Sequence, residues 1–121
     1  MKIVIPNYRP PSWREIYQSR HWIFRKKIAD EVHELVAHYA RLALKGNNLP
    51  KGRVDIHIDV YFKNRPYDSS NIPIKIFEDG LKGIIITDDR MKFVRRVSSE
   101  SHLDKNNPRV EVTIEDLLEP S

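Results

Sequence analysis

Between residues 54 and 63 the chain alternates strictly. Val54, Ile56, Ile58, Val60 and Phe62 are apolar, while Asp55, His57, Asp59, Tyr61 and Lys63 carry polar groups. Successive side chains on a strand point to opposite faces, so this pattern predicts a strand with one face on a core. The other face is wet, or it meets a partner subunit. The same alternation in Val110, Val112 and Ile114 predicts a final strand over 109–117. KIVIP at 2–6 reads as a short strand stopped by Pro6, and MKFVRRVSS at 91–99 as another.

Elsewhere the period lengthens. Ile28, Val32, Leu35, Val36, Tyr39 and Leu42 recur at steps of three and four, which predicts a long helix over 22–45 with one apolar stripe. Gly46 and two asparagines end it. A second helix is predicted over 71–82. Ser69, Ser70 and Asn71 are capping types, and Pro73 suits a first turn. Ile74, Phe77 and Leu81 would meet the core, with Asn71, Lys75 and Asp79 on a neighbouring face. NYRPPSWREIYQSRH at 7–21 reads as an ordered loop, HLDKNNPR at 102–109 as a turn, and the final LEPS as a fraying tail. The order β-α-β-α-β-β predicts an α/β (α+β) fold: a single mixed four-stranded sheet packed with two helices.

The length of 121 residues fits one domain spanning 1–121. With no cysteine, disulfides and thiolate metal sites are excluded. No apolar run approaches the length of a membrane span and no signal peptide is evident, so a soluble cytoplasmic protein is expected. Residues 1–66 hold 13 Lys/Arg against 6 Asp/Glu, whereas residues 67–121 hold 8 against 11. A basic half beside an acidic cluster suits a polyanion binder that also holds a cation; an unevenly charged solvated surface is the plainer reading.

Arg9, Arg14 and Arg20 interleave with Tyr8, Trp13, Tyr17 and His21, a mixture able to grip phosphates and stack on bases. The aromatics could equally pack the loop onto the core. Arg25, Lys26 and Lys27 occupy early helical turns, where the helix dipole disfavours cations, so a nearby phosphate is one reason for them. Arg65 and Arg90 complete the candidate DNA-contacting set. His33 and His38 read as surface or packing residues, with no third ligand at metal spacing.

The acids of the central segment are Asp68, Asp79, Asp88 and Asp89. Each alone has a plain role: a cap for Asp68, an ion pair with Lys75 for Asp79, a turn for Asp88 and Asp89. Together they suggest more. Clustered carboxylates repel unless a cation compensates, and such oxygens suit Mg²⁺ or Mn²⁺. A metal of that kind activates water and offsets charge on a phosphodiester, and a lysine nearby adds to this. A helix of this length spans roughly 15–18 Å, so Asp88 and Asp89 must fold back to approach Asp68. Gly80 and Gly83 permit that.

In this order the residues resemble the RusA-like Holliday junction resolvases. That family carries a D-x-D-N element, a lysine, an aspartate before a leucine, and a late D-D pair. Here stand Asp68, Asn71, Lys75, Asp79 with Leu81, and Asp88–Asp89. Pro10–Pro11–Ser12 and Arg20–His21 match the family's opening loop, so the resemblance covers nearly the whole chain. It implies a homodimeric, Mg²⁺-dependent endonuclease acting on four-way or other branched DNA, with no membrane partner. Carried over, Asp68, Asp88 and Asp89 would hold the metal, Lys75 would act at the phosphate, and Ser70, Asn71 and Asp79 would support them. Ser70 stands where the family has its second acid; aligned by distance from Lys75, Asn71 stands there instead. Either way one carboxylate is replaced by a neutral group, which keeps open an alternative: a dimer that binds branched DNA and cuts it weakly or not at all.

Overall fold

The computed structural model describes residues 1–18 and 21–118. Along them run β1 (Lys2–Pro6), α1 (Trp13–Gln18), α2 (Trp22–Leu44), β2 (Val54–Phe62), a 3-10 turn (Ser69–Asn71), α3 (Ile74–Leu81), β3 (Val94–Leu103) and β4 (Arg109–Asp116). The strands form one mixed sheet in the order β1-β4-β2-β3. β4 pairs antiparallel with both β1 and β2, while β2 and β3 pair in parallel. A parallel pair needs a crossover, and α3 lies within it. The result is the expected α+β architecture.

The alternation in β2 buries Val54, Ile56, Ile58, Val60 and Phe62, each at most 2% exposed. Val110, Val112 and Ile114 of β4 and Ile3 and Ile5 of β1 join them in the core. Val32, Val36 and Ala40 of α2 and Ile76, Phe77 and Leu81 of α3 cover this face. The inward stripe of α2 runs through Ala40, leaving Leu42 largely exposed. α2 and α3 approach closely at Gly80, where a Cβ would lie 2.9 Å from the Val36 Cβ.

The structure departs from the sequence expectations in three places. The stretch 7–21 contains α1, so among the described residues three α-helices accompany the sheet. Ser12 starts α1: its Oγ accepts from the Glu15 amide at 3.1 Å and its carbonyl from Ile16 at 3.0 Å. The expected helix at 71–82 is divided. Pro73 disfavours helical backbone at the preceding residue, and Ile72 is extended with ψ 128°, so the 3-10 turn ends and α3 begins only at Ile74. β3 is shifted along the chain from the expected 91–99: Met91, Lys92 and Phe93 form a turn, the strand starts at Val94, and it runs on to Leu103 because parallel pairing with β2 extends from Val54↔Val94 to Phe62↔Leu103. Among the described residues no helix is long and apolar enough to cross a membrane.

Candidate active site

The segment YDSSN at 67–71 is stitched to the fold through alternate residues. The Tyr67 hydroxyl donates to the Pro10 carbonyl at 3.0 Å. Ser69 binds the edge of β3: its Oγ accepts from the Ser101 amide at 2.8 Å, and its carbonyl accepts from Ser99 Oγ at 2.9 Å. Asn71 Oδ1 accepts from the Arg14 amide in α1 at 3.0 Å. Tyr67, Ser69 and Asn71 therefore tie the N-terminal loop, α1 and β3 together. Asp68 and Ser70, between them, are exposed. Asp68 occupies the N-cap position of the 3-10 turn, yet its side chain makes no capping hydrogen bond. The fold does not use this carboxylate as a cap.

Beyond this turn, α3 places Lys75 and Asp79 one turn apart, and their ends meet at 3.4 Å. Lys82, just past the helix, lies 2.9 Å from Asp79 and 3.2 Å from Asp89. Asp89 also pairs with Lys75. Glu78, only 7% exposed, reaches Lys75 at 3.5 Å. His33 of α2 stands 4.0 Å from Asp79 Oδ2. Three carboxylates thus surround two ammonium groups. Asp79 Oδ1 lies close to both lysines without hydrogen-bond geometry, so its contacts are ionic.

The reversal that brings Asp89 back is local. Gly83 takes φ 77°, a left-handed backbone that suits glycine, and its amide donates to the Ile86 carbonyl at 2.7 Å. Ile85 and Ile86 are buried and anchor the turn. The two adjacent aspartates then part. Asp88 accepts from the Arg90 amide and from Arg90 Nε, both at 2.8 Å. The amide hydrogen bond, then the guanidinium, holds the Asp88 carboxyl below its ordinary range. Asp89 turns to the lysines of α3.

Asp79, Asp89 and Lys75 are brought together; Asp88 is held apart by Arg90, and Asp68 with Ser70 faces solvent. Among the described residues, the group of three or more metal-ligating side chains whose donor atoms lie within 4.8 Å of one another is His57, Asp59 and Glu100, on the polar face of β2 and β3. That face had been read as wet or intersubunit. Glu78 and Lys82 are not among the residues the sequence singles out, and His33, which reads there as a surface or packing residue, stands beside Asp79. The three-residue spacings Lys75–Glu78 and Asp79–Lys82 carried a signal for two of them; the approach of His33 depends on α2–α3 packing.

The basic residues are dispersed. Arg9 is paired with Glu15 at 2.8 Å and lies over the Tyr67 ring. Arg14 is exposed on α1, Arg25 is half-buried, Lys27 is exposed, and Lys26 pairs with Asp30 at 2.7 Å. Trp22, Ile23 and Phe24 are more than half exposed in the same first turn of α2. Arg65 is exposed in a left-handed turn at φ 46°. Arg20 lies outside the described residues.

A family model described as endodeoxyribonuclease RusA matches residues 7–115. The chain belongs to this family of endodeoxyribonucleases. The match takes in the N-terminal loop, α1, α2, α3, both acidic segments, β2, β3 and β4 up to Glu115, and leaves out β1. No curated protein matches the chain.

Proposed function

We propose that the chain is a divalent-metal-dependent endonuclease that cuts four-way junctions or other branched DNA, acting as a homodimer. The observation that carries this reading is the family match over 7–115. The acid–lysine cluster on α3 and the exposed Asp68 supply chemistry in keeping with it.

The donor set suits a hard cation: Asp68 presents a carboxylate that no cap consumes, and the Asp88–Asp89 pair adds further carboxylate oxygens. Asp68, Asp88 and Asp89 would hold Mg²⁺ or Mn²⁺, which when bound supplies an activated water and offsets charge on the phosphodiester. The chain's own residues do the rest. Lys75 offers its ammonium group to a non-bridging oxygen or the leaving group. Asp79 and Glu78 keep that ammonium over the site from positions on the same helix. Lys82 offsets Asp79 and Asp89, easing the repulsion between them. Arg9, Arg14, Arg20, Arg25, Lys26, Lys27, Arg65 and Arg90 supply phosphate contacts, so binding weakens steeply with salt.

The test is a labelled four-way junction incubated with Mg²⁺ or Mn²⁺. Symmetric nicks that disappear in Asp68→Asn and Asp88→Asn are expected; no cleavage with either ion, at protein concentrations that saturate the junction, overturns the reading. A second reading, a branched-DNA binder that cuts weakly, is favoured by one observation: Ser70 is exposed beside Asp68 and offers a hydroxyl where the family pattern has an acid. Ser70→Asp decides between them. Cleavage that appears only in this variant, at unchanged junction affinity, establishes the binder.

A further inference from the structure

We propose a second metal site, distinct from the acids of α3: a transition-metal site built by His57, Asp59 and Glu100 on the polar face of the sheet. Strand geometry assembles it. His57 and Asp59 are two apart on β2 and share one face. Parallel pairing sets Ser98 opposite His57, Glu100 opposite Asp59 and His102 opposite Tyr61. One donor atom from each of His57, Asp59 and Glu100 falls within 4.8 Å of the others.

The His57–Asp59 separation resembles an edge of a coordination polyhedron. Ligand bonds of about 2.0–2.1 Å in a tetrahedron put donor atoms about 3.3 Å apart. His57 Nε2 lies 3.1 Å from Asp59 Oδ1. His102 Nε2 lies 2.7 Å from that same oxygen and 3.2 Å from Glu100 Oε2. Two imidazole nitrogens therefore aim at one carboxylate oxygen. A divalent ion among these donors would satisfy the carboxylates and take an imidazole nitrogen as a ligand.

Surrounding groups hold the ligands in place. The other ring nitrogen of His57, Nδ1, lies 2.6 Å from Ser98 Oγ, which fixes the ring and leaves Nε2 facing the acids. His102 stacks on Tyr61 at 4.5 Å, and the Arg109 guanidinium lies 3.7 Å over the same tyrosine ring. His102 thus acts as a positioning residue for Asp59 and Glu100. Glu100 is the exposed member at 59%, while Asp59 is largely covered at 17%, so the site opens toward solvent on the Glu100 side and gives an ion a way in. Imidazole with carboxylate suits Zn²⁺, Co²⁺ or Cu²⁺, whereas an all-oxygen set suits Mg²⁺. An ion here would clip edge strand β3 to β2. The same β3 segment carries Ser99 and Ser101, which hold the 3-10 turn beside Asp68.

The site is tested on the full chain, stripped of metal and titrated with Co²⁺ and then Zn²⁺. One equivalent of Co²⁺ should give visible d–d absorption, and Zn²⁺ should displace it. Zn²⁺ at about a hundred times its dissociation constant should raise Tm by roughly 5 °C or more. His57→Gln and, independently, the exposed Glu100→Gln should remove the bands; His102→Gln should weaken binding by about 10–100-fold. Absence of Co²⁺ bands in the unaltered protein, or wild-type binding in folded His57→Gln and Glu100→Gln, overturns the proposal.

Discussion

Two charge clusters of similar size sit on different layers of this molecule, and they balance their carboxylates by different means. At α3 and the turn that follows it, Glu78, Asp79 and Asp89 are met by Lys75 and Lys82. On the sheet, Asp59 and Glu100 are met by His57 and His102. Lysines are permanent cations at neutral pH, with mobile stems. Histidines lose their charge near neutrality and can become ligands instead. The first cluster can therefore turn its ammonium groups toward a phosphate. The second can offer an imidazole nitrogen and carboxylate oxygens to a metal. Clustering alone does not distinguish these chemistries; the identity of the counter-groups does.

The sharpest way to break the comparison is substitution at the pivot of the first cluster. Asp89→Asn should lower single-turnover junction cleavage by about 10²–10³-fold while folding is retained by circular dichroism. Wild-type rates would place the chemistry elsewhere. Gly80→Ala tests whether the α3 cluster depends on close helix packing. Its Cβ would crowd Val36 at 2.9 Å, so a loss of about 1–3 kcal/mol in urea unfolding is expected. No loss would mean that α2 yields easily there. Asn71→Ala should cost about 1 kcal/mol by the same measurement, since it removes the acceptor for the Arg14 amide.

Acidification probes the sheet side more than the helix side. Arg95 holds Asp55 low, Lys2 does so for Glu111, Arg109 for Asp104, and the Lys51 amide for Asp116. Of the α3 region's acids, Asp88 is held low by the Arg90 amide. Each folded value lies below the unfolded one. The stabilisation is thus complete above the unfolded carboxylate pKa of about 4 and is lost as pH falls through the folded values. From these groups Tm should be level between about pH 7 and 5, then drop on further acidification. A Tm that rises from pH 5 to 3 would contradict this.

Much of the fold was legible because burial imposes a period. The alternation of β2 and β4 and the three-and-four steps of α2 come directly from which residues face the core. α1 was hidden by the prolines before it, although Ser12 and Glu15 carried a capping signal. The division at Pro73 was also available, since a residue before proline resists the helix. What no linear pattern shows is contact across sequence. His57 meets Ser98 and Asp59 meets His102 over separations of 41 and 43 residues, so that cluster exists only once β2 and β3 are set in register. Likewise YDSSN names five polar or aromatic residues, but not that Asp68 and Ser70 face outward while their neighbours tie the turn down. The candidate acids were legible as types in order; their partners were not.

The most direct measurement is single-turnover cleavage of a four-way junction in Mg²⁺, comparing Asp89→Asn with His57→Gln at matched junction occupancy. The account predicts that Asp89→Asn loses cleavage and that His57→Gln cuts within a few-fold of the unaltered protein. Retained cleavage in Asp89→Asn together with its loss in His57→Gln would contradict it and move the nuclease centre to the face of the sheet.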